Sequence, residues 1–116
     1  MTNTPTIDLT FLQSFTGGSK DKMAKYIGIF LQMCPGQLDL MKTQLSTGNY
    51  DSLRGTAHAL KPQITYMGIS GGEELIKKIE NDAASRTNLA ELPGIISRMD
   101  DLCKKAIGEL ELFMKQ

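Results

Sequence analysis

His58 is the only histidine in a chain of 116 residues, and two basic residues flank it, Arg54 four positions before and Lys61 three positions after. On a helix these offsets bring all three side chains onto one face. An imidazole titrates near neutral pH, so a neutral ring nitrogen is available as a nucleophile. Transfer of a phosphoryl group to such a nitrogen needs an in-line approach and positive charge for the equatorial oxygens. Lys61 and Arg54 are spaced to supply that charge. The neighbours Gly55, Ala59 and Pro62 are compact, which leaves room for another protein to bring its own phosphoryl group to the ring. General-base catalysis suits the residue less well, because no orienting carboxylate is evident beside it and a helix face offers no pocket.

The orientation of His58 follows from the residues around it. At about 100° per residue, Leu53, Ala57, Leu60, Ile64 and Met67 form one apolar arc, and His58 points about 135° away from its centre. The histidine therefore faces outward in mid-helix. Asp51, Arg54, Gly55, Lys61, Pro62, Thr65 and Ile69 fall within about 60° of it by the same arithmetic. Of these, Arg54, Gly55, Pro62 and Thr65 are the candidate partner-docking residues, and Ile69 flanks the surface at its far end. An apolar patch shared by this helix and the one before it is the expected anchor for a partner.

The elements that must hold this surface are all helical. Leu9, Leu12 and Phe15 predict a short first helix that stops at Gly17-Gly18. Ser19 caps a second helix carrying Met23, Tyr26, Ile27, Phe30, Leu31 and Cys34 at three-and-four spacing. Pro35 predicts a kink or short break, after which Leu38, Met41 and Leu45 continue the stripe to Thr47-Gly48. Asn49 caps the histidine helix. Gly71-Gly72 opens a fourth helix through Leu75, Ile76, Ile79 and Ala83, and the stretch Asn88 to Pro93 starts a fifth that runs to Phe113. The fold class is all-α: an antiparallel four-helix bundle with a short additional N-terminal helix, in one domain over residues 1–116. Met33, Met41, Met67, Met99 and Met114 read as core filling, and Cys34 and Cys103 as buried, inert thiols.

Composition excludes other classes. Thirteen basic residues balance thirteen acidic ones, against a nucleic-acid binder with its basic excess. One histidine and two separated cysteines do not complete a zinc site. Gly68, Gly71 and Gly72 lack the spacing and the lysine of a nucleotide-binding loop. No apolar run approaches the ~20 residues of a membrane span, and Met1–Asp8 has no signal-peptide pattern. The expectation is a cytoplasmic monomer, with no membrane partner and no ATP-dependent kinase activity of its own.

The stretch Ala57-His58-Ala59-Leu60-Lys61, with Gly68 ten residues beyond the histidine and Ile79-Glu80 on the next helix, resembles the histidine-containing phosphotransfer (HPt) domains of two-component phosphorelays. The likeness extends over nearly the whole chain, through Leu38, Leu45, the Gly48-Asn49-Tyr50 turn and Leu53. It implies that His58 is a phosphoacceptor relaying a phosphoryl group between the aspartates of response-regulator receiver domains, fed by a hybrid histidine kinase. It implies that Lys61 steadies the phosphoryl group and that Gln63 hydrogen-bonds that group or the ring. It also implies that no cofactor belongs to this chain, the Mg²⁺ being the receiver's. Three positions depart from the family pattern. Pro62 stands where glycine is usual and predicts a local kink, Gln63 replaces a small hydroxyl residue, and Gly72 replaces a leucine. Two other readings are a sensor kinase's dimerisation hairpin, which ATP-dependent autophosphorylation would reveal, and a degenerate bundle that docks receivers without accepting phosphate.

Overall fold

The computed structural model describes residues 5–115. They form α1 (Thr10–Phe15), α2 (Lys20–Ser46), α3 (Tyr50–Tyr66), α4 (Gly72–Ser85) and α5 (Leu92–Met114), with a 3-10 turn at Leu89–Glu91 before α5 and no strand among the described residues. The helix starts are set by side chains that satisfy otherwise unpaired amides. Ser19 Oγ accepts from the Lys22 amide at 3.3 Å, and Asn49 Oδ1 accepts from Ser52 at 3.4 Å. The predicted boundaries hold, but both expected proline disruptions do not break their helices. Pro35 lies inside an unbroken α2, and Pro62 inside an unbroken α3.

Helices α2 to α5 form the antiparallel bundle. The α3–α4 pairing is the most extensive, and α2 closes the ring against α3 and α5. Ile27, Phe30 and Met41 from α2, Leu53, Leu60 and Ile64 from α3, Ile76 and Ile79 from α4, and Ile96, Met99 and Leu110 from α5 are all buried. Each such side chain contributes about 1.5–3 kcal/mol relative to exposure. Cys34 and Cys103 are also fully buried. A hydrogen bond donated to Cys34, together with burial, holds Cys103 as a thiol.

Two methionines expected in the core are not there. Met33 is 39% and Met114 41% exposed, because α2 and α5 carry apolar side chains on more than the face that meets the bundle. Met41, Met67 and Met99 are buried as expected. Ile69, expected on the histidine surface, is 4% exposed and belongs to the core. The reason is that α3 ends at Tyr66 and Gly68 turns the chain in the left-handed region at φ +57°, so helical angles no longer apply at residue 69. Gly72 has a steric cause: a Cβ there would stand 2.7 Å from Ile64 Cγ2.

Helix α1 lies across one end of the bundle and buries Leu12 completely. The segment leading into it is tied along its backbone. Asp8 donates its amide to the Met67 carbonyl at 3.2 Å, and Ser70 donates to the Thr6 carbonyl at 2.8 Å.

Candidate functional site

His58 sits in the middle of α3 with its side chain 69% exposed, as the helical arithmetic requires. Its surroundings contain a group that the sequence did not reveal in this role. Glu80, on α4, brings Oε2 to 2.6 Å from His58 Nδ1 and Oε1 to 2.8 Å from Lys61 Nζ. The expectation that no carboxylate orients the histidine is therefore corrected. It failed because Glu80 is 22 residues away in the chain, and only the packing of α3 on α4 sets the two helices in register. Glu80 appeared in the sequence only as one residue of the Ile79-Glu80 pattern.

This geometry fixes the chemistry of the ring. An ionised carboxylate only accepts hydrogen bonds, so Nδ1 carries the proton and donates it to Glu80. In the neutral ring the lone pair is then on Nε2, the nitrogen on the far side of the ring from Nδ1. Glu80 stays ionised because the bonded Lys61 ammonium holds its carboxyl below the usual range. Burial opposes that shift, and the bond from His58 reinforces it. The carboxylate is only 13% exposed, so both of its oxygens are committed where water competes poorly.

The other candidate residues fall into two groups. Arg54, Gly55 and Pro62 are exposed around His58, and Lys61 is 31% exposed beside it. Thr65 shares the face, but its hydroxyl is engaged, donating to Glu73 Oε1 at 2.6 Å. Gln63 does not share it. Because α3 remains unbroken through Pro62, five residues carry Gln63 about 140° round the axis from His58, where it is half-buried.

A second feature was not anticipated. Phe11 and Phe15 from α1, Tyr26 from α2 and Tyr66 from α3 form one aromatic cluster with ring centroids 5.5–6.0 Å apart. Phe11 is 48% and Phe15 52% exposed. The signal available in the sequence was the i, i+4 spacing of the two phenylalanines, of which the short first helix used only Phe15. Among the described residues no three or more His, Cys, Asp or Glu side chains are grouped to hold a metal, and no helix is long and apolar enough to cross a membrane.

A family model for the Hpt domain matches residues 25–111, three-quarters of the chain. The chain belongs to the Hpt domain family. Its function is accordingly histidine phosphotransfer in phosphorelay signalling, and Hpt domains work with receiver domains and kinases. Among solved structures, histidine-containing phosphotransfer protein B (HptB) from Pseudomonas aeruginosa PAO1 is similar in fold, with a TM-score of 0.86 and 22% sequence identity over 97% of each chain. No curated protein sequence matches the chain. The Hpt model begins at residue 25, so α1 and the tied N-terminal segment lie outside the matched region.

Proposed function

We propose that His58 accepts a phosphoryl group from the aspartyl phosphate of one response-regulator receiver domain and passes it to the aspartate of another. The observation that carries this reading is the Nδ1 bond to Glu80, which leaves Nε2 as the free nucleophile on an exposed face. In the forward step the Nε2 lone pair attacks phosphorus. An Nε2–P bond forms, the aspartyl O–P bond breaks, and the partner's carboxylate leaves. The ring gains positive charge as it reacts, and the ionised Glu80 beside Nδ1 stabilises that charge throughout. The second receiver reverses the step on its own aspartate.

Lys61 supplies positive charge to the phosphoryl oxygens. In the unphosphorylated state its ammonium is held by Glu80, so it is positioned before the partner arrives and exchanges to a phosphoryl oxygen afterwards. Arg54 adds charge one helical turn earlier. Mg²⁺ and the acidic pocket belong to the receiver, and a hybrid histidine kinase is the upstream source. The protein acts in the cytoplasm as a monomer, with no cofactor of its own and no nucleic-acid partner.

Docking centres on the groove between α2 and α3. Counting equal rise along antiparallel helices from the Tyr26–Tyr66 contact, Met33 lies level with Ala59, beside the histidine. The exposed Met33 thus supplies the apolar patch expected on this surface. A Cβ at Gly55 would meet nothing within 4 Å, so the bundle's own packing does not require glycine there. Access for a partner does. Incubation with a phosphorylated receiver tests the reading: label is expected on the wild type and none on His58→Gln. Binding that is unchanged in His58→Gln, with no label on either protein, would favour the degenerate docking bundle instead.

A further inference from the structure

The segment before α1 is held by a device that the phosphotransfer chemistry does not need. Glu109, near the C-terminal end of α5, accepts hydrogen bonds from two consecutive backbone amides. The Thr6 amide lies 2.8 and 2.9 Å from its two oxygens, and the Ile7 amide 3.0 Å from Oε1. With the Asp8–Met67 and Ser70–Thr6 bonds, the strand of chain from Thr6 to Asp8 is fastened to both α5 and the α3–α4 turn. The fit is close: a Cβ on Gly68 would stand 2.0 Å from the Asp8 carbonyl oxygen. A chain terminus normally frays unless it is tied, and a six-residue helix is not stable alone. The position of α1 therefore depends on this fastening and on Leu12.

What α1 presents is the pair Phe11 and Phe15. Phe11 stacks on Tyr66 at 5.8 Å with 14° between planes, and Phe15 on the same ring at 5.5 Å, while about half of each phenylalanine faces solvent. Tyr66 is eight residues beyond His58 on α3, about 12 Å along the axis. A standard protein interface buries about 800 Å² a side, a disc of about 16 Å radius. A receiver centred on His58 therefore reaches this plate, which continues the surface through Tyr66 and Tyr26. Exposed aromatic side chains in rigid stacks are the usual anchors of such interfaces.

Resting on the phosphorelay reading above, we infer that Glu109 is a positioning residue for partner docking. By holding Thr6 and Ile7 it fixes the Phe11–Phe15 plate as an anchoring part of the receiver-binding surface, outside the region matched by the Hpt model. The occupant is the apolar face of a receiver domain, and Glu109 itself never touches it.

The experiment compares the wild type with Glu109→Ala, Glu109→Gln and the double variant Phe11→Ser/Phe15→Ser. Each is phosphorylated by two donors, receiver domains from the same genome loaded with acetyl phosphate, and the small molecule phosphoramidate. Amide hydrogen exchange follows Thr6 and Ile7. Glu109→Ala is expected to expose those amides to exchange and to raise KM for the receiver about tenfold, with kcat and phosphoramidate labelling unchanged. Glu109→Gln keeps one accepting oxygen and falls between the two. The phenylalanine double variant raises KM similarly while leaving the Glu109 bonds in place. An unchanged receiver KM in Glu109→Ala or in the double variant overturns the inference, as does a parallel fall in kcat and phosphoramidate labelling. A wild type that neither donor labels would instead overturn the phosphorelay reading on which it rests.

Discussion

Replacing Glu80 by alanine removes the acceptor for His58 Nδ1 and the partner of Lys61 in one step. The Nδ1 proton then exchanges freely between the two ring nitrogens, and the Lys61 ammonium loses its anchor. Hydrogen bonds to charged groups contribute about 1.5–3 kcal/mol where solvent is excluded. Here the ring is 69% exposed, so water replaces part of the lost bond and the lower end applies. A loss of about 1.4 kcal/mol corresponds to about tenfold in rate. Glu80→Ala is therefore expected to lower kcat/KM for transfer from a phosphorylated receiver by about tenfold, measured by rapid quench. The fold should survive, because the two partners that Glu80 holds, His58 and Lys61, are themselves solvated once released, which keeps the loss at about the 0–1 kcal/mol of solvent-accessible ion pairs and shifts Tm by no more than about 4 °C in a domain of this size. Transfer at the wild-type rate, in a protein with wild-type Tm, would refute the argument that the carboxylate selects the reactive nitrogen.

Lys61→Ala should shorten the phosphohistidine lifetime or slow its formation by a few-fold, and leave the bundle folded because Lys61 is partly solvated. A Tm well below wild type would contradict its placement. Gly72→Leu should destabilise by about 1–3 kcal/mol through overpacking against Ile64, and a urea midpoint equal to wild type would show that the site relaxes freely. Besides Asp8, which hydrogen bonds from Thr10 hold down, three carboxyl groups titrate below their ordinary values. Glu80 is held down first by Lys61. At Asp100 burial works in the opposite sense but Lys42 and Lys104 outweigh it, and at Glu109 burial is outweighed by the Thr6 and Ile7 amides. Since their folded-state values are depressed, their stabilisation is fully present above the ordinary values of 4.5 for the two glutamates and 3.8 for Asp100, and is lost as pH falls through the lower folded-state values. A urea midpoint that stays flat from about pH 6 to about pH 3 would contradict this.

The helical fold and the outward face of His58 were legible in the sequence because both depend on periodicity within one element. Leu53, Ala57, Leu60 and Ile64 point inward, and that alone places the histidine outside. The same arithmetic excludes Gln63 from the histidine face once Pro62 is seen to leave the helix unbroken. It failed at Ile69, where Gly68 changes the backbone direction and a helical angle has no meaning. Glu80 was not legible as the orienting group because its contact with His58 depends on the axial offset between α3 and α4, which many packed side chains set together. The Glu109 bonds were hidden for a related reason: they go to backbone amides of Thr6 and Ile7, which carry no sequence signature. Met33 and Met114 show a further limit, since an apolar residue at core spacing can equally lie on a face left open for a partner.

Incubating the wild type and His58→Gln with a phosphorylated receiver domain and mapping the label decides whether His58 is the phosphoacceptor. One phosphoryl group is expected per wild-type chain, on His58, labile in acid and stable in alkali, and none on His58→Gln. An unlabelled wild type, or equal labelling of the two proteins, would contradict it.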